Sequence, residues 1–150
     1  MADIDRMTKM SRKTGQCLCG AVTFTAVVGD AIQACHCVQC QRWTGGGPYF
    51  AVEVENLEMS GADVLRDYHA STWGERVVCG TCGSTIYWKM QGEVPRTLAA
   101  GLLDDQSGMR VTEEIFVDYR PGWLPPFEGA AQSTEAQEMA KLENYMASQT

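Results

Sequence analysis

The chain has 150 residues, 45% of them hydrophobic, with a formal charge of -7 and an isoelectric point near 4.7. That length suffices for one domain with its own core. The acidic balance argues against a nucleic-acid partner, whose affinity comes largely from Lys and Arg neutralising phosphates. No apolar run approaches the roughly 18 residues of a membrane span, and Met1 to Thr14 is polar, without the apolar stretch of a signal peptide. These features predict a cytoplasmic protein that is not membrane-bound.

In chain order, residues 1–14 read as a flexible N-terminal segment, 15–128 as a β domain and 129–150 as a helical tail. From Ala21 to Val28 the pattern alternates, with Val22, Phe24 and Ala26 on one side and Thr23 and Thr25 on the other, the period of a half-buried strand. Further short β-like runs fall at Tyr49 to Val54, Val64 to Tyr68, Arg76 to Val78, Thr85 to Lys89, Arg96 to Leu103 and Ile115 to Tyr119. Turn-forming Gly, Asp, Asn and Pro separate them, which predicts a mainly β fold of small sandwiched or folded sheets. Gly45-Gly46-Gly47-Pro48 cannot continue a helix and predicts a tight loop. Thr134 and Gln137 have the spacing of a capping box, predicting a short C-terminal helix. Its apolar face, Ala136, Met139, Leu142 and Met146, would pack on its own domain or form the contact of a homodimer.

The seven cysteines carry the chemistry. In a reducing compartment, closely spaced cysteines are more often metal ligands than disulfides. An odd count leaves a thiol over in any disulfide scheme, whereas a set of four and a set of three use all seven. Cys17, Cys19, Cys79 and Cys82 form two close pairs far apart in sequence, the usual way to build a tetrahedral structural zinc site. Gly20, Gly80 and Gly83 suit loops that wrap an ion. Cys35, Cys37 and Cys40 could fill three positions of a second zinc and leave the fourth open, as catalytic zinc sites do. Two other readings stay open here. His36 could close that site as a fourth ligand, or the three thiols could work without metal in redox chemistry.

In their order and spacing these residues resemble the glutathione-dependent formaldehyde-activating enzyme family, to which centromere protein V is also related. The resemblance runs from about Gly15 to Trp123. It rests on Gly15-x-Cys17-x-Cys19-Gly20-x-Val22, Cys35-His36-Cys37-x-x-Cys40 with Arg42, Arg76-x-x-Cys79-x-x-Cys82-Gly83, Gly101-x-Leu103-Asp104, and Ile115-x-Val117 with Trp123. It implies an Mss4-like fold of β-sheets clasped by zinc. It further implies a structural ion on Cys17, Cys19, Cys79 and Cys82, and a second ion on Cys35, Cys37 and Cys40. The implied activity is that of a carbon-sulfur lyase, joining glutathione and formaldehyde into S-(hydroxymethyl)glutathione at the second zinc. Gln41 and Glu114 stand where the family often has a basic residue and a histidine, and both changes remove positive charge expected near an anionic thiol.

Because such a substrate is an anion, local cations are needed, and Arg42 is the best placed, ahead of Arg76 and Arg120. Trp43 and Trp88 read either as walls of a pocket or as core residues, and nothing in the sequence places His69 near a metal. The rival reading is a non-catalytic zinc module with a closed or empty second site. Redox chemistry ranks last, because no isolated cysteine remains once both metal sets are filled.

Overall fold

The structure is a computed structural model that describes residues 10–149. It is mainly β. Nine strands run in the order β1 (Ser11–Gln16), β2 (Thr23–Cys35), β3 (Tyr49–Ser60), β4 (Leu65–Tyr68), β5 (Gly74–Cys79), β6 (Thr85–Met90), β7 (Thr97–Ala99), β8 (Arg110–Ile115) and β9 (Ala131–Ser133) among the described residues. Helix α1 (Val38–Thr44) lies between β2 and β3, and α2 (Glu135–Ser148) follows β9. The chain divides into two compact units interleaved in sequence, one running through Ile32 and then Phe50–Arg110, the other comprising Gln33–Tyr49 and the chain from Val111 onward.

In the first unit, β1 pairs antiparallel with β2, Ser11 opposite Val28 and Gly15 opposite Phe24. β7 pairs antiparallel with β3, and β4, β5 and β6 form a separate antiparallel sheet with an irregularity between Val77 and Val78. The alternation read at Val22, Phe24 and Ala26 is the inward face: all three, with Val28, are buried. They meet Val52, Val54, Val77, Ile86, Leu98 and Leu103 in one core, where each fully buried aliphatic side chain contributes about 1.5–3 kcal/mol. Cys17 and Cys79 belong to the same cluster, so two of the sulfur-bearing loops are rooted in the core. Gly15 is required by this packing. A Cβ there would lie 2.4 Å from the Leu102 carbonyl oxygen and from the Phe24 ring.

In the second unit, the last residues of β2 lead into α1, and β8 and β9 pair in parallel with Glu114 opposite Gln132. Helix α1 stops at Thr44 because Gly45 takes the left-handed conformation, φ 86°, and closes the C-terminus through its N–H to Gln41. Helix α2 starts as read, with Thr134 at the N-cap and the reciprocal Gln137 bond completing the capping box.

Several boundaries differ from the sequence reading. Residues 11–14 of the expected flexible segment belong to β1, while residues 1–9 lie outside the described residues. The strand expected over Ile115 to Tyr119 ends at Ile115, because Phe116 adopts a left-handed φ of 57° and Val117–Tyr119 forms a 3-10 turn. The run from Arg96 to Leu103 is a strand only over Thr97–Ala99, followed by a 3-10 turn at Ala100–Leu102. On α2 the half-buried face is Met139, Leu142 and Tyr145, with Ala136 and Met146 exposed. Burying Tyr145 removes far more apolar surface from water than burying Ala136 would.

Candidate metal centres

Cys17 and Cys19 stand on the turn between β1 and β2, while Cys79 ends β5 and Cys82 stands on the turn from β5 to β6. Their four sulfurs all lie within 4.8 Å of one another, with Cys17 Sγ 3.7 Å from Cys19 Sγ and Cys19 Sγ 3.9 Å from Cys79 Sγ. A tetrahedron with ~2.3 Å zinc-sulfur bonds has edges of about 3.8 Å, so the donor set fits zinc in both number and spacing. Backbone N–H groups point at the sulfurs: Val22 to Cys17 at 3.4 Å, Ala21 to Cys19 at 3.5 Å and Cys82 to Cys79 at 3.5 Å. Such donors disperse thiolate charge and orient the ligands. Ser84, which the sequence reading passed over, links the two loops. Its hydroxyl oxygen accepts from the Leu18 N–H at 3.0 Å and lies 3.2 Å from Cys82 Sγ.

The four thiols differ in acidity. Hydrogen bonds from the Ser84 hydroxyl and backbone bring Cys82 down to about 5. Cys19 rises to about 11: the Ala21 N–H opposes the shift, but burial and the three neighbouring sulfurs outweigh it. Burial resists ionisation of Cys17, yet the Val22 N–H and the Cys19 and Cys79 thiols hold it below the ordinary range. Four sulfurs at this spacing cannot all be thiolates unless a cation neutralises them.

The second centre lies where β2 gives way to α1. Cys35 ends the strand, Cys37 is the N-cap of the helix and Cys40 sits in its first turn, with the three sulfurs within 4.8 Å of one another. The Cys40 N–H donates to Cys37 Sγ at 3.3 Å. Cys35 and Cys40 are buried and Cys37 is half-buried. The Cys35 thiol is pushed far above its ordinary value, first by the Cys37 and Cys40 sulfurs and then by burial, so this set too fits a cation.

His36 has neither ring nitrogen within 4.8 Å of all three sulfurs. It is fully buried and its Nε2 donates to Glu114 Oε1 at 2.7 Å, while among the described residues Nδ1 has no hydrogen-bond partner. Glu114 is itself fully buried. It also accepts from Arg120 Nε at 3.2 Å, the Phe127 N–H at 2.8 Å and Gln132 Nε2 at 2.7 Å. Burial would raise this carboxyl, but the bonds from Gln132, Phe127 and His36 and the Arg120 charge outweigh it and hold the group below the usual range. Glu114 therefore does more than remove a positive charge. Gln41, the other departure from the family pattern, donates through Nε2 to the carbonyls of His36 at 2.8 Å and Tyr119 at 2.9 Å.

A scan of known families places the chain. The sequence profile of the glutathione-dependent formaldehyde-activating enzymes matches residues 12–119. The chain belongs to that family. A relative from Schizosaccharomyces pombe (strain 972 / ATCC 24843), named as an uncharacterized lyase, is 26% identical over 115 residues, which is 75% of this chain and 83% of the relative. An Mss4-like fold is consistent with membership of the formaldehyde-activating family and with the mainly β architecture.

Of the arginines weighed from sequence, Arg42 is exposed in the last turn of α1. Arg120 is taken up by Glu114 and Gln132, and Arg76 is buried in β5. Trp43 packs on Tyr49 with ring centroids 4.9 Å apart, and Trp88 packs edge-on against Trp73 at 5.6 Å. His69 Nε2 lies 3.3 Å from Asp67 and 3.6 Å from Glu75, and the Lys89 ammonium is 3.3 Å from Glu75. Among the described residues no helix is long and apolar enough to cross a membrane.

Proposed function

We propose that this chain is a zinc-dependent carbon-sulfur lyase that reversibly joins a small thiol such as glutathione to a small aldehyde such as formaldehyde at Cys35, Cys37 and Cys40. In this reading Cys17, Cys19, Cys79 and Cys82 hold a structural zinc. The observation that carries it is a cluster of three sulfurs with no further Cys, His, Asp or Glu ligand atom within 4.8 Å of all three among the described residues, in a chain of the formaldehyde-activating family. A relative named as a lyase supports the reaction class.

The reaction makes one carbon-sulfur bond: the thiol sulfur adds to the aldehyde carbon, and the proton lost from sulfur ends on the new hydroxyl. A zinc ion on three thiolates would offer its fourth position to the substrate thiol and lower that thiol's pKa, its muted Lewis acidity favouring thiol exchange over hydroxide chemistry. The chain does the rest. The Cys40 N–H tempers the charge on Cys37, and Arg42 would attract the carboxylates of an anionic thiol. At Gly45, Gly46 and Gly47 no atom from beyond the adjoining residues lies within 4 Å of where a Cβ would stand, which leaves room for a ligand beyond the end of α1.

Zinc stoichiometry tests the proposal. Two zincs per chain in the wild type, one of them lost in Cys37→Ser and disturbed by titrated glutathione, is the expected result. One zinc per chain, indifferent to both changes, would favour a non-catalytic zinc module instead.

A further inference from the structure

In an extended backbone, successive side chains point to opposite faces. Cys35 ends a strand and Cys37 keeps an extended φ of -60° and ψ of 157°, so the residue between them controls which way both sulfurs face. That residue is His36, and each of its polar main-chain groups is tied. Its N–H bonds the Ile115 carbonyl at 3.0 Å and its carbonyl accepts from Gln41 at 2.8 Å. The ring is held through Nε2 by Glu114 at 2.7 Å. The other three donors to Glu114 are Arg120, Phe127 and Gln132, and all three lie beyond residue 119, where the family match ends. Taking a carboxylate out of water costs several kcal/mol unless its lone pairs are satisfied, so these three groups decide whether Glu114 can stay buried against His36.

We propose that Glu114 is the positioning residue of the three-cysteine centre. Held by Arg120, Phe127 and Gln132 from the segment that follows the family-matched residues, it fixes His36 on one face so that Cys35 and Cys37 present their sulfurs on the other. The inference rests on the reading of Cys35, Cys37 and Cys40 as a metal centre. It assigns the C-terminal segment a task at that centre rather than at the four-cysteine one.

The test uses full-length, zinc-loaded protein and two variants, Glu114→Gln and the milder, surface-side Gln132→Ala. Zinc release to a chelator is followed by site, and the His36 ring N–H is followed by hydrogen exchange in 15N-histidine-labelled protein, where the chain's 2 histidines leave His69 as an internal control. The expected result is faster His36 exchange with release from the three-cysteine centre accelerated about tenfold or more, the usual scale for losing a ligand-orienting partner. Release from the four-cysteine centre should stay at the wild-type rate. Faster His36 exchange with unchanged release, or equal acceleration at both centres, would overturn the proposal. Should the wild type hold one zinc per chain, the functional reading fails, and positioning is judged by iodoacetamide modification of Cys37. Acceleration in Gln132→Ala upholds it, and a wild-type rate overturns it.

Discussion

At the scale of single residues, the two candidate centres are shaped by hydrogen-bonding groups outside the seven cysteines. Ser84 is the clearest, because one hydroxyl meets both the Leu18 N–H and Cys82 Sγ. Ser84→Ala leaves that amide to find water and removes a donor from sulfur, a loss of about 1 kcal/mol for a typical hydrogen bond. The expected outcome is a lower thermal midpoint and faster zinc release from the four-cysteine centre, measured with a chelator. Arg42 makes a different kind of prediction. If its charge draws in an anionic thiol, Arg42→Ala should raise KM for glutathione by about tenfold, equivalent to about 1.4 kcal/mol, with kcat little changed. Steady-state kinetics at varied thiol concentration would read this directly. The cysteines could be sorted into four and three from spacing alone, but Ser84 and the bonding of Glu114 could not, because nothing in a linear pattern announces which polar side chain will reach across 66 or 78 residues.

At the scale of elements, turn chemistry sets where strands and helices begin and end. Gly61 adopts φ +85°, and a Cβ there would fall 1.9 Å from the Ala21 carbonyl oxygen. Gly61→Ala must therefore displace backbone next to the loop that carries Cys19. Its expected effect is a fall in stability of more than about 1 kcal/mol, beyond what φ > 0 alone costs, visible in urea unfolding. At α2 the Thr134 cap predicts a smaller effect: Thr134→Ala should cost about 1 kcal/mol and reduce helical circular dichroism before it affects zinc content. The alternating strand at Val22, Phe24 and Ala26 and the capping box at Thr134 and Gln137 were legible because each is a local pattern. The end of β8 was not, since Ile115 to Tyr119 reads as one apolar run while the left-handed turn at Phe116 breaks it. β9 has no local signature for a similar reason, being three residues long and paired with a strand 18 residues earlier in the chain.

For the whole molecule, pH and metal are the controls to vary. The Glu114 carboxyl is held below its ordinary value in the folded chain, so its contribution to stability is present above the ordinary carboxylate range and is lost as pH falls through the folded-state value. Wild type should therefore exceed Glu114→Gln in stability near neutral pH, with the gap closing in acid, as measured by urea midpoints across pH. If zinc fills the four-cysteine centre, chelation that strips it should unfold the first unit, because Cys17 and Cys79 are part of its core and the ion would join the two sulfur-bearing loops to each other. Retention of near-ultraviolet dichroism after complete zinc removal would contradict that. By itself the sequence determined the β character, the partition of seven cysteines into two metal-fitting sets, and the family, since all three are carried by residue type and local spacing. Only the tertiary structure decided that His36 turns to Glu114, that Arg120 is spent on the same carboxylate, and that Ser84 ties two loops together. Those outcomes depend on which polar groups become buried side by side, and burial is a property of the folded chain.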